Sequence, residues 1–113
     1  MDIKRQKQWL LEEKYKGQKT PEYVSDVTLL EEGTPLAYLI GSIPFLDTTI
    51  SLKGHPLIPR PETEYWVERA ISEIQAGSTS PTILDLFSGS GCIGVALLKS
   101  IREARVTFSE VRE

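Results

Sequence analysis

A glycine-rich loop between two apolar stretches constrains the fold of this chain more than any other feature. Residues 82–87 (TILDLF) form a short apolar run that is typical of a strand buried on both faces of a parallel sheet. The loop SGSG (88–91) leads into an apolar helix ending near residue 101, and the β-branched and aromatic run 105–109 (RVTFS) predicts a second strand. This order predicts a βαβ crossover, the first half of a Rossmann-like sheet.

The residues before this unit predict a small helical region. Spaced apolar side chains predict an amphipathic helix over residues 3–15. Thr20 followed by Pro21 predicts the start of a second helix. Threonine can cap the first turn, and proline is tolerated at the first helical position because an N–H there would have no partner within the helix. The same Thr-Pro pair recurs at 34–35, before a short turn of helix. Residues 1–41 are therefore predicted to form a short helical N-terminal region.

Apolar and polar residues then alternate with a period of two, which is typical of strands. The alternation runs over residues 43–52, and a second short apolar run follows at 57–58. The stretch LKGH (52–55) contains a turn glycine between the two runs. The pattern predicts a β-hairpin linker over residues 42–58 with its turn at this glycine.

The prolines of PRPETE (59–64) predict an extended segment followed by a helix. Apolar residues at helical spacing continue this helix as far as Gly77, where it is expected to end. The start of the α/β domain is therefore assigned to residues 59–113.

Composition excludes several classes of function. The 113 residues carry a net charge of −3, which provides no basic face for direct nucleic-acid binding. No apolar run approaches the roughly 18 residues of a membrane helix. A single cysteine, Cys92, excludes an internal disulfide and fits a reducing cytosol. Cys92 is expected to be a packing residue, although a helix N-terminus there could lower the pKa of its thiol. One cysteine and one histidine are also too few ligands for a zinc site. Together these observations lead us to expect a cytoplasmic protein without a metal or a membrane partner.

Three kinds of ligand use a glycine loop at this place. A Walker-type phosphate loop needs a lysine after its glycines, which is absent here. Gly89, Gly91 and Gly94 match the spacing G-x-G-x-x-G, which keeps NAD or FAD open. Asp85 favours adenosylmethionine, because its carboxylate can fix the loop backbone and approach a cationic amino group but would repel a pyrophosphate. Glu110, after the second strand, is placed to accept both ribose hydroxyls of either cofactor.

Three stretches taken together resemble one family, the HemK-type release-factor glutamine methyltransferases: TPLAYLIG (34–41), LIPRPETE (57–64) and ILDLFSGSGCIG (83–94). These enzymes transfer a methyl group from S-adenosyl-L-methionine to the side-chain amide nitrogen of a glutamine. That glutamine belongs to the Gly-Gly-Gln motif of a class-1 peptide chain release factor, which is thus the implied protein partner. The resemblance covers residues 34–113 and implies part of the Rossmann-like, adenosylmethionine-dependent methyltransferase fold.

The resemblance also implies roles for two groups of residues. The cofactor loop and its acids would be Asp85, Phe87, Ser88, Gly89, Ser90, Gly91 and Glu110. The segment across the methionine end of the cofactor, which helps to shape the substrate entrance, would be Arg60, Pro61, Glu62, Thr63 and Glu64. Phe87 stands where the family usually has glycine, and its side chain is expected to point away from the cofactor, onto the sheet.

The family's catalytic Asn-Pro-Pro-Tyr loop has no match among these residues. No catalytic residue is therefore assigned, and the chain alone is expected to be inactive, as the N-terminal part of such an enzyme. One alternative is a non-catalytic remnant that binds adenosylmethionine or a protein partner. Another is an amino-group nucleic-acid methyltransferase, against which the acidic balance and PRPETE weigh.

Overall fold

The first of two structural units, Met1–Ser42, contains three helices in the computed structural model, which describes residues 2–77 and 79–111. These helices are α1 (Ile3–Tyr15), α2 (Pro21–Glu31) and α3 (Leu36–Ile40). Their apolar faces meet in one core, because each helix contributes side chains to the same cluster. Its buried members are Leu10, Leu11, Tyr23, Leu30 and Leu39.

The helix starts follow local capping chemistry. Asp2 Oδ1 accepts a hydrogen bond from the backbone N–H of Arg5 at 2.8 Å. Thr20 Oγ1 accepts one from the N–H of Tyr23 at 3.2 Å, which confirms the threonine-proline start of α2. Helix α3 differs from the prediction, since Pro35 is its N-cap residue and no side chain caps it. The second threonine-proline pair therefore begins a helix without repeating the first cap.

Polar contacts join α1 to α2 beside this core. Asp26 Oδ2 accepts hydrogen bonds from the Tyr15 hydroxyl at 2.5 Å and from Lys14 Nζ at 2.7 Å. Burial alone would raise the pKa of Asp26, but these bonds and the charge of Lys14 outweigh it and hold the pKa below its ordinary value. Lys7 and Glu31 form a second, more exposed ion pair at 2.6 Å. Exposed pairs contribute about 0–1 kcal/mol each, so the apolar core remains the main stabilising element.

The second unit, Ile43–Glu113, contains the remaining elements apart from the first residue of β1. These are β1 (Ser42–Phe45), β2 (Thr48–Ser51), α4 (Pro61–Gly77), β3 (Thr82–Asp85), α5 (Cys92–Ser100) and β4 (Arg105–Phe108). Its core joins the hairpin to α4 and α5, and the buried members are Phe45, Ile50, Val67, Cys92 and Ala96. Among the described residues, no helix has both the length and the apolar character needed to cross a bilayer.

The hairpin β1–β2 is shorter than predicted, and its turn lies elsewhere. The two strands are joined at Leu46 and Asp47, and Leu46 takes the left-handed conformation with φ of +52°. The predicted turn at residues 52–55 exists, with the N–H of His55 donating to the carbonyl of Leu52 at 3.0 Å, but it follows the hairpin. The predicted strand at 57–58 is wrong. Continuous alternation conceals the true turn, since a leucine in a left-handed conformation leaves no local sequence signal.

Strands β3 and β4 are parallel neighbours connected through α5, which confirms the predicted βαβ unit. The register pairs Thr82 with Arg105 and Asp85 with Phe108. Backbone hydrogen bonds continue the pairing beyond the strand ends, since the N–H of Ser109 donates to the carbonyl of Asp85 at 2.9 Å. The carboxyl ends of both strands therefore meet at one edge of the sheet.

Burial of β3 differs from the prediction that both of its faces are covered. Asp85 is buried and faces α5, whereas Leu84, on the opposite face, is 58% exposed. Within the described residues the sheet has two strands, and α5 packs against both of them. The apolar run 82–87 therefore does contain a strand, but only one face of that strand is covered in this structure.

Candidate functional site

A cleft lies in the second unit, between the glycine loop after β3 and the chain that follows β2. Its volume is about 370 Å³, within the range of about 300–1,000 Å³ that is usual for small-molecule sites. The lining combines bare backbone, charged groups and apolar side chains. The lining residues are Ser51, Lys53, Gly54, Pro56, Leu57, Phe87, Gly89, Ser90 and Glu110.

The glycine loop takes its shape from three residues in the left-handed region. Phe87, Gly89 and Gly91 have φ of +52°, +60° and +81°. Glycine adopts this conformation at little cost, whereas other residues pay about 1–2 kcal/mol. The N–H of Gly91 donates to the carbonyl of Ser88 at 2.9 Å, which closes the turn before α5. The loop is thus a tight turn that contains one unfavourable residue, Phe87.

Asp85 fixes the start of α5 from the end of β3. Its side chain is 8% exposed, and Oδ2 accepts a hydrogen bond from the N–H of Gly94 at 3.0 Å. Gly94 lies in the first turn of α5, where backbone N–H groups have no partner within the helix. The N-cap residue Gly91 has no side chain with which to cap them. Asp85 therefore caps the helix across the loop and holds the backbone between them.

Glu110 brings a second carboxylate to the same loop. Its Oε2 accepts a hydrogen bond from the N–H of Gly89 at 2.5 Å, and its Oε1 accepts one from the N–H of Val111 at 2.8 Å. The acid after β4 thus lies against the loop after β3, as expected where parallel strands end at one edge. Each carboxylate oxygen has lone pairs for more than one donor, so Glu110 can also accept from a ligand hydroxyl.

Phe87 does not lie where the sequence predicted. Its side chain is 77% exposed and lines the cleft, so the expectation that it packs onto the sheet and points away from the site is wrong. The reason is local, because Phe87 lies beyond the end of β3 in a left-handed conformation. The alternation of side chains that holds along a strand therefore no longer applies to it.

The segment 60–64 forms the beginning of α4 and not the wall of the cleft. The N–H of Thr63 donates to the carbonyl of Arg60 at 3.0 Å, and α4 begins at Pro61. Glu62 and Glu64 lie in the first turn, where negative charge is favoured by the helix dipole. Among the described residues that line the cleft, none belongs to this segment. Its role at a substrate entrance stays a prediction.

Residues 51–57 supply the wall that sequence reasoning missed. Ser51, Lys53, Pro56 and Leu57 line the cleft together with Gly54, whose φ is +83°. The one available signal was Gly54, which the sequence placed in a hairpin turn. The same turn instead directs the chain past the glycine loop.

Cys92 is a packing residue, as expected. Burial raises the pKa of its thiol, and the nearby charge of Asp85 raises it further, while a hydrogen bond with Ser90 opposes both. Backbone hydrogen bonds from Cys92 and Ile93 at the helix start do lower this pKa, but burial outweighs them and the net shift is upward. Cys92 packs in the core with Phe45 and Val67 and carries no reactive thiolate.

Comparison with known proteins gives several curated relatives, although no protein-family model matches the chain. The release factor glutamine methyltransferase of Rhodopirellula baltica is 41% identical over 83 residues, which are 71% of this chain and 28% of that protein. The protein of the same name from Bordetella pertussis is 40% identical over 79 residues, 70% of this chain and 29% of the relative. That of Burkholderia pseudomallei is 43% identical over 74 residues, 66% and 26% respectively. The chain spans less than a third of the length of these relatives.

Proposed function

The chain belongs to the release factor glutamine methyltransferase family over the part that its relatives share, and from this premise we propose that it forms the cofactor-binding part of an S-adenosylmethionine-dependent glutamine methyltransferase. The substrate would be the glutamine of the Gly-Gly-Gln motif in a class-1 release factor, in the cytosol. The βαβ unit would then be the start of a Rossmann-like sheet.

The observation that carries this proposal is the meeting of two acids on one glycine loop. Asp85 ends β3 and Glu110 follows its parallel neighbour β4. Asp85 accepts a hydrogen bond from the N–H of Gly94, in the first turn of α5, and Glu110 accepts one from the N–H of Gly89, in the loop. Vicinal ribose hydroxyls are donors that the carboxylate of Glu110 can accept. Asp85 is buried at the end of β3 and does not itself line the cleft. From there its negative charge would still favour a ligand with an amino cation over one with a pyrophosphate. These features support adenosylmethionine over a dinucleotide.

The chain's own residues would bind and orient the ligand. When bound, adenosylmethionine supplies a methyl group on a positively charged sulfur. Glu110 would hold the ribose, Asp85 would keep the loop and α5 in place, and the exposed backbone of Gly89 would allow close approach. The segment Arg60–Glu64 would lie on the side of the protein substrate. An amide nitrogen is a poor nucleophile, so the main contribution would be accurate positioning of the two reactants.

Glu110→Gln tests the site directly. We expect labelled adenosylmethionine to bind the unsubstituted chain and to bind the variant about tenfold or more weakly, because a charge-assisted hydrogen bond contributes about 1.5–3 kcal/mol. Equilibrium dialysis measures both affinities, with NAD as a competitor that should not displace the label. Glu103→Gln is the matched control, since Glu103 is an exposed acid of the same unit outside the cleft. Equal affinity for the three proteins, or displacement by NAD, would contradict the proposal.

The same preparation tests methyl transfer. With a class-1 release factor added, we expect these 113 residues to bind the labelled cofactor without labelling the factor, because they have no match to the loop that orients the amide. The measurement is radioactivity in the glutamine of the Gly-Gly-Gln peptide after proteolysis. Label on that glutamine would show that residues in this chain suffice to orient it. Label on added nucleic acid would instead support the amino-group nucleic-acid methyltransferase.

A further inference from the structure

Lys99, in the last turn of α5, reaches a different element of the second unit. Its Nζ donates a hydrogen bond to the backbone carbonyl of Asp47, 52 residues earlier in the chain. A lysine in this position commonly interacts with the terminal carbonyls of its own helix. Here the carbonyl of Ser100 instead accepts a hydrogen bond from Gln75 Nε2 at 3.1 Å. Lys99 therefore joins α5 to the turn between β1 and β2.

This turn depends on support from the surrounding structure. Leu46, next to Asp47, has φ of +52°, and a leucine keeps this uncommon conformation only where neighbouring groups hold it. Apolar side chains of the hairpin and of α5, among them Phe45 and Ala96, pack in one core. Burial of apolar surface is not directional, so it does not fix the tilt of the hairpin on α5. The hydrogen bond from Lys99 is directional and restricts that tilt.

The same two elements carry the two walls of the cleft at their other ends. Helix α5 begins after Gly91, where the glycine loop ends, and Lys99 lies eight residues, or about 12 Å, further along the helix. Strand β2 begins next to Asp47, ends at Ser51 in the opposite wall, and contacts α5. A tilt of about 10° at the bonded end would therefore move the cleft end by about 2 Å.

We propose that Lys99 is a positioning residue for the cleft, because its bond to the hairpin turn keeps the wall 51–57 at a fixed separation from the glycine loop. The inference rests on the proposed function, since it concerns the affinity of the same site. Lys99 is not among the described residues that line the cleft, so it acts on binding through the hairpin. A binding site needs its groups held within about 0.5 Å, which makes a shift of the wall costly.

Lys99→Met, Lys99→Arg and the control Arg102→Met test this role in the full chain. Methionine keeps part of the apolar stem but removes the donor, whereas arginine can still donate to the carbonyl of Asp47. Arg102 is an exposed cation of the same unit outside the cleft. In calorimetric titration with adenosylhomocysteine, we expect an affinity about threefold lower for Lys99→Met and an unchanged affinity for the other two variants.

Amide hydrogen exchange without ligand gives a readout that a general loss of stability would not reproduce. In Lys99→Met we expect faster exchange in residues 46–57, which contain the turn and the wall. Exchange in β3 and β4 should be unchanged, because a tilt of the hairpin leaves the pairing of these strands intact. Lys99→Arg should restore slow exchange in residues 46–57.

Each alternative result has a defined meaning. Equal affinity of Lys99→Met and the unsubstituted chain would overturn the positioning role and leave the proposed function standing. Binding by Lys99→Arg as weak as that of Lys99→Met would also overturn it, because the donor would then not be the cause. Faster exchange throughout the second unit would indicate a general loss of stability and overturn it as well. Failure of the unsubstituted chain to bind adenosylhomocysteine would overturn the proposed function, whereas faster exchange confined to residues 46–57 would still support the role of Lys99 in holding the hairpin.

Discussion

Replacing Asp85 with alanine is expected to lower the free energy of unfolding of the second unit by about 2–3 kcal/mol and to remove cofactor binding. The carboxylate is buried and accepts the N–H of Gly94, so its removal leaves a helix-start donor without its partner. Hydrogen bonds to charged groups contribute about 1.5–3 kcal/mol, and a buried donor left unpaired costs a similar amount. The loop that Asp85 holds is also the cofactor loop, so stability and binding should fall together.

Denaturation by guanidinium, followed by the fluorescence of Trp66 in a Trp9→Phe background, measures this effect in the second unit. Trp66 lies on α4, and the chain has no other tryptophan besides these two. Asp85→Asn should lose less stability than Asp85→Ala, since the amide oxygen can still accept from Gly94. Glu103→Ala is the exposed-acid control. If Asp85→Ala were as stable as this control, the capping role would be refuted.

The βαβ unit could be predicted because its signals are local. Each element has its own signal: the apolar run before the loop for β3, the glycines for the start of α5, and the β-branched run for β4. The observed ends of these elements lie within two residues of the predicted ends. Once two strands are parallel, their carboxyl ends share an edge, so Asp85 and Glu110 had to approach the same loop. The sequence could not indicate that both acids bond glycine N–H groups, since that depends on loop geometry.

The parts that escaped prediction depend on contacts between distant residues. Leu46 and Phe87 both take left-handed conformations that are uncommon for their residue types. Neither residue signals this conformation in the sequence, because leucine and phenylalanine adopt it only rarely. The cleft wall at Lys53 and Leu57 is about thirty residues away from the glycine loop along the chain, and only the folded hairpin unit brings the two together. The periodicity of apolar residues along the chain does not predict contacts between two such distant segments.

Gly94→Ala is expected to destabilise the second unit by about 1–2 kcal/mol, although alanine is the better helix former. A Cβ at this position would lie 2.7 Å from Cζ of Phe108 and 3.0 Å from Oδ2 of Asp85. Overpacking of this kind costs about 1–3 kcal/mol and would displace the carboxylate that caps the helix. Against this stands a gain of about 1 kcal/mol in helix propensity. Guanidinium denaturation measures the balance, and Gly77→Ala is the control, since a Cβ there meets nothing within 4 Å.

A double-mutant cycle with Phe108→Ala separates the two causes of the loss. If the aromatic ring is the obstacle, Gly94→Ala should cost much less in the Phe108→Ala background, because the new Cβ then occupies space that the ring has left. If the cost persists unchanged, displacement of Asp85 is the dominant cause, and Asp85→Ala should in turn abolish it. A Gly94→Ala variant as stable as Gly77→Ala would contradict close packing of α5 on β4. Gly94, in the first turn of α5, is thus expected to matter for contact between the helix and β4, whereas Gly89 and Gly91 matter for the turn.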